Sequence, residues 1–128
     1  RIGRALTTKL VGLGARVTAL TRRESVFGEI QRTGAEPRRT EMAAEALAGK
    51  QFLFSTVPAV IFDARTLARA RKNLRIIDLA SPPFGVDLQA AEAAGLWIRR
   101  ERGVPGRYCP QAAARAIAQA MKRGGILL

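Results

Sequence analysis

Residues 76–87 read "IIDLASPPFGVD". Two isoleucines lead into Asp78, the chain turns polar again at Ser81, and Pro82, Pro83 and Gly85 come directly after it. A buried strand that stops at a polar loop stiffened by proline is how open α/β sheets present ligand-binding groups, at the carboxyl ends of their strands. The stretch therefore predicts a strand within "NLRIIDLAS", from Asn73, with a binding loop behind it.

The flanking sequence supplies the rest of such a sheet. "QFLFSTVPA" from Gln51 and "GLWIRR" from Gly95 are further strand-like runs, and Ala-rich helical stretches separate them. Helices are expected over 24–33 and 41–49, over 63–72 with Asp63 as cap, and over 87–94 with Asp87 as cap and Gly95 as stop. "AEPRR" at 35–39 reads as a short edge-like strand interrupted by Pro37. At the start, "RIGRALTTKLVGLGARVTALTRR" places Ile2, Leu6, Leu10 and Leu13 on one helical face, lets Gly14 end the helix, and continues into a strand over 16–21. A last helix, "CPQAAARAIAQAMKRGG", has Pro110 at its first turn, turns Ala113, Ile117, Ala120 and Met121 inward, and ends at Gly124.

Strand and helix in alternation imply a parallel sheet with right-handed crossovers, a Rossmann-like doubly wound α/β/α arrangement. In that frame Gly3 is the last glycine of a GxGxxG fingerprint, or else an ordinary packing glycine. The opening strand and its glycine turn are then expected ahead of Arg1, so residues 1–128 read as one NAD(P)-binding domain, incomplete at its start and without its substrate domain. No linker or repeat marks a boundary inside it.

Composition bounds the function. At 128 residues and 48% hydrophobic content the chain suits one core, built of small residues because aromatics are only 5%. A net charge of +12 invites a polyanion partner. The basic residues are spread along the chain, however, with no aromatic stacking series and no helix-turn-helix or finger spacing, so a solvated surface is favoured over nucleic acid. Cys109 is the only cysteine and there is no histidine, which excludes a disulfide framework and a thiol zinc site; no metal is expected. With no apolar run of membrane-spanning length and no signal-like start, a cytoplasmic setting is expected.

Four motifs, "RIGRAL" entering a helix, "STVPA" after a strand, "IIDLASPPFGVD" and "GVPGRYCPQAAA", occur in one order and spacing across nearly the whole chain. In this the sequence resembles the C-terminal, dinucleotide-binding half of the dipicolinate synthase A subunits, whose corresponding stretches read approximately GxGRIGxxLA, NTIPA, IDLASxPGG and GLPGxxAPxTA. Phe84 stands where that pattern has the first of two glycines, Val104 where it has Leu, and Tyr108, Cys109 and Gln111 also depart from it. The resemblance implies a sporulation enzyme that converts 4-hydroxy-tetrahydrodipicolinate to dipicolinate, with a pyridine nucleotide and a flavoprotein-like second subunit. Cofactor contacts are also expected at Arg1, Ile2 and Gly3, at Ala80, and at Gly103 and Pro105.

Position in a dinucleotide fold adds detail. The second strand ends in Thr21, Arg22 and Arg23, with no carboxylate before Glu24; these would accept the 2′-phosphate of NADP, with NAD as the alternative, unless the arginines simply begin a solvated helix. Thr56, Val57 and Pro58 would line the cofactor ribose, the proline opening the next helix, or else form an ordinary turn. Ser81 would hydrogen-bond a substrate carboxylate or the nicotinamide carboxamide. Asp78 is either a catalytic group beside it or a buried acceptor for the loop. The turn "GVPG" at 103–106 would approach a flat ring, and the positive field suits a small dicarboxylate. Proton transfer falls to Asp78, Tyr108 or Cys109, or to residues outside the chain. Homo-oligomerisation is expected. The alternatives are an NADP enzyme of shikimate- or methylenetetrahydrofolate-dehydrogenase type and a non-catalytic basic module binding nucleic acid.

Overall fold

The computed structural model describes residues 2–101, so the expectations at Arg1, Gly103, Pro105, Tyr108, Cys109 and the helix from Pro110 lie outside the described residues. The described residues divide between two compact units, 2–38 and 39–101, although no change in composition marks the division.

In the first unit, α1 (Ile2–Gly12) buries Leu6 and Leu10, the centre of the predicted apolar face. The helix ends as expected, at Gly14 with φ 90°. There Gly14 N–H donates to Val11 and Ala15 N–H to Leu10, satisfying carbonyls that the last turn leaves open. Strand β1 (Thr18–Thr21) follows and neighbours β2 (Glu36–Arg39) in a two-stranded sheet. Between them the predicted helix begins as a 3₁₀ turn, Glu24–Val26, and becomes α2 (Phe27–Arg32).

The second unit holds β3 (Phe52–Ser55), β4 (Arg75–Asp78) and β5 (Trp97–Arg100) in a parallel three-stranded sheet, with β4 in the middle. Leu53 on β3 pairs with Ile76 on β4, and both are buried with Leu74, Leu79 and Leu96. A 3₁₀ turn at Thr40–Met42 leads into α3 (Ala43–Leu47), which buries Ala43 and Leu47. The helix predicted over 63–72 is only α4 (Ala64–Leu67), and α5 (Leu88–Ala93) lies before β5. Both predicted caps are present: Asp63 accepts from Thr66 N–H and Asp87 from Ala90 N–H. Gly95, at φ 71°, ends α5.

The Thr66 amide bond, with lesser help from the Thr66 side chain, holds the Asp63 carboxyl below its ordinary value of 3.8. A carboxyl lowered by folding contributes stability above that ordinary value and loses it as pH falls through the lower folded one. Acid titration below pH 3.8 should therefore loosen the α4 start, seen as a shift of the Thr66 amide resonance that Asp63→Asn abolishes.

Candidate functional site

The three strands of the second unit end in polar residues that lie in register. Ser55 closes β3, Asp78 closes β4 and Arg100 closes β5; Ser55 pairs with Asp78, and Asp78 with Arg100. One turn of pleat below, the same rows are Leu53, Ile76 and Ile98, so an apolar sheet meets a polar rim at its carboxyl ends. All three rim residues act on the loop that follows β4.

Asp78 is fully buried. Its Oδ1 accepts from Ala80 N–H at 3.1 Å, and its Oδ2 accepts from Gly85 N–H and Val86 N–H, each at 3.1 Å. A carboxylate so placed replaces water with three backbone donors and fixes both ends of the loop. The loop is also sewn to its surroundings. Leu79 N–H donates to the Ser55 carbonyl, Ile61 and Phe62 N–H donate to the Gly85 carbonyl, and Asp87 N–H donates to that of Phe62.

Gly85 is a position where no side chain fits. A Cβ there would collide with Ser55 Oγ and sit 3.0 Å from Ser55 Cβ and 3.1 Å from the Val57 carbonyl oxygen. The loop backbone thus lies directly on the end of β3. Ser81 occupies the exposed side: its carbonyl accepts from Phe84 N–H at 2.8 Å to close a turn through the cis Pro82–Pro83 bond. Phe84 leaves that turn at φ 68°, a backbone region that favours glycine. Its ring lies under the Arg100 guanidinium, whose Cζ is 3.9 Å from the ring centroid.

The remaining predicted residues fall as follows. Thr56 is half-buried, and Val57 and Pro58 are exposed, just beyond the end of β3 and beside the Gly85 contact. Pro58 does not open a helix, as expected of it; Ala59 N–H turns back to the Val57 carbonyl and α4 starts only at Ala64, because Phe62 is first drawn into a bridge with Val86. Ala80 is buried and its N–H is taken by Asp78. The second unit therefore brings together Thr56, Val57, Pro58, Asp78, Ala80 and Ser81. The other candidates belong to the first unit: Ile2 and Gly3 form the first turn of α1, and Thr21 is the last residue of β1. Thr21 Oγ1 accepts from Arg23 N–H at 3.2 Å, and Arg22 and Arg23 are exposed, with no ion pair among the described residues.

Sequence reasoning passed over Arg100 and Ser55. The signal available for both was the same one that marked Asp78, a polar residue at the last position of an apolar strand.

A parallel α/β sheet that carries its loop at the strand ends in this way is Rossmann-like. No family model matches the chain. The dipicolinate synthase A subunit of Bacillus subtilis (strain 168) is 27% identical over 123 residues, 96% of this chain and 41% of that protein. The crystal structure of the dipicolinate synthase A subunit from Bacillus halodurans superposes with a TM-score of 0.75 at 32% identity, over 91% of this chain and 40% of the other. That of the Bacillus subtilis protein gives a TM-score of 0.75 at 26% identity, over 91% and 39%. By sequence and by fold the chain is similar to the dipicolinate synthase A subunits, and it spans about two fifths of the length of the relatives it matches. Among the described residues no helix is long and apolar enough to cross a membrane.

Proposed function

We propose that residues 1–128 are the dinucleotide-binding domain of an NADP-dependent oxidoreductase that forms dipicolinate from 4-hydroxy-tetrahydrodipicolinate. The conversion removes one water and two hydrogens; bound NADP would supply the acceptor for one hydrogen as hydride, the other leaving as a proton. The observation that carries this reading is the Asp78-anchored loop, which holds Ser81 exposed at the carboxyl end of a parallel sheet in a chain related to the dipicolinate synthase A subunits. There Ser81 Oγ donates to a substrate carboxylate or to the carboxamide of the cofactor. Asp78 keeps the loop in shape.

The residues of the first unit fit an anionic cofactor group. Arg22 and Arg23 stand exposed at the end of β1, and their guanidiniums would hold the 2′-phosphate that distinguishes NADP from NAD. Its relatives are A subunits by designation, which implies that the chain works with a second subunit. The proposal takes that partner to be flavoprotein-like, within a cytoplasmic homo-oligomer that serves sporulation.

Cofactor choice is the test. Replacing Arg22 and Arg23 with Gln in the full-length polypeptide should weaken NADP binding by about 1–3 kcal/mol while leaving NAD binding unchanged, as measured by calorimetric titration of each nucleotide. Equal losses for the two nucleotides would rule out the 2′-phosphate assignment.

A further inference from the structure

We infer that Arg100 is a positioning residue for Ser81, an inference that rests on the site proposed above. Arg100 ends β5, and three attachments draw its side chain onto the loop of the neighbouring strand. Nη2 donates to the Val86 carbonyl at 2.7 Å, the guanidinium covers the Phe84 ring, and Nε faces Asp78 Oδ2 at 3.9 Å as an ion pair. Nε is buried with no hydrogen-bond partner among the described residues, and the side chain as a whole is mostly withdrawn from solvent, so the ion pair with Asp78 and the bond to Val86 are what hold the guanidinium here. The neighbouring acid does not compete for it: Glu101 takes Arg99 Nε at 2.6 Å.

Two of the attachments fall on either side of Gly85, at Phe84 and Val86. Phe84 is the residue whose N–H closes the turn on the Ser81 carbonyl. An aromatic residue at φ 68° needs its surroundings to hold it there, and the stacked guanidinium is one such support. A planar, permanently charged fork can stack on a ring and donate to a carbonyl at once, which a lysine ammonium does less well. Arg100 therefore fixes Phe84, Phe84 fixes the turn, and the turn aims the Ser81 hydroxyl. Arg100 itself need not touch substrate.

A double-mutant cycle tests this in the full-length polypeptide with its proposed partner, reading kcat and KM for 4-hydroxy-tetrahydrodipicolinate, NADP affinity and Tm. Arg100→Ala should lower kcat on the order of ten- to hundredfold, with NADP affinity unchanged, and Arg100→Lys should recover part of the loss. Because Arg100 acts through Ser81, the pair Arg100→Ala with Ser81→Ala should be no slower than Ser81→Ala alone. Multiplicative losses, or full activity in Arg100→Ala while Ser81→Ala is impaired, overturn the inference and leave the site standing. Normal kinetics in Ser81→Ala overturn the site, and the inference with it. Should Arg100→Ala fail to fold, Arg100→Gln, which retains a donor for the Val86 carbonyl, carries the same cycle.

Discussion

Gly85→Ala should lower the stability of the protein by about 2–4 kcal/mol, the sum of overpacking and a broken hydrogen bond. The added methyl meets Ser55 Oγ, which can rotate away, but also Ser55 Cβ and the Val57 carbonyl oxygen, which cannot. Nor can the loop retreat. Gly85 N–H is held by Asp78, and its carbonyl accepts from both Ile61 and Phe62, so any displacement that relieves the collision breaks backbone hydrogen bonds in a buried place. Urea denaturation of parent and variant measures the loss. The second substitution that separates collision from other causes is Ser55→Gly, which removes both side-chain atoms of the clash. Combined with Gly85→Ala, it should restore part of the stability that Gly85→Ala loses. A Gly85→Ala protein that melts with the parent would show that the loop does not lie on β3.

Asp78→Asn should be more damaging, at about 3–5 kcal/mol, although it changes the side-chain volume hardly at all. The carboxylate offers acceptors on both oxygens, and all three of its amide partners are donors. An amide offers one oxygen, and whichever way it turns, its NH₂ faces an N–H at one end of the loop. The Arg100 guanidinium, already partly withdrawn from water, also loses its countercharge. Hydrogen exchange should report the same event locally, with the Ala80, Gly85 and Val86 amides losing protection ahead of those in the centre of β4. Parental protection at these three amides would rule out the anchoring role. Ser81→Ala, by contrast, should melt near the parent, since the exposed Ser81 hydroxyl bonds nothing among the described residues.

The strands were legible because their signal is short-range. Leu53, Ile76 and their neighbours are apolar wherever the sheet is buried, and Asp63 and Asp87 are acceptors at the places where helices leave amides open. Helix length was less legible. Residues 68–72 have helical composition, yet α4 stops at Leu67, because tertiary demands on so short a segment outweigh propensity. The loop after Asp78 was legible as a loop, and its prolines and glycine as stiffeners. What gave no sign was which groups fasten it. Arg100 lies 14 residues beyond Val86, and only the parallel register of β4 with β5 brings the two together. Pro58 misled for the related reason that a proline after a strand commonly starts a helix, whereas here the bridge from Phe62 to Val86 comes first.

The two oxygens of one buried carboxylate grip the chain at Ala80 and again at Gly85. The span between those grips is thereby constant whatever stands in it, and Ser81, Pro82 and Pro83 within it are exposed. Such a segment behaves as a cassette in a fixed frame. The frame itself is held by Asp78, which bonds Ala80, Gly85 and Val86. The exposed residues of the loop and the buried group that anchors it thus have separate addresses in this chain, a few residues apart.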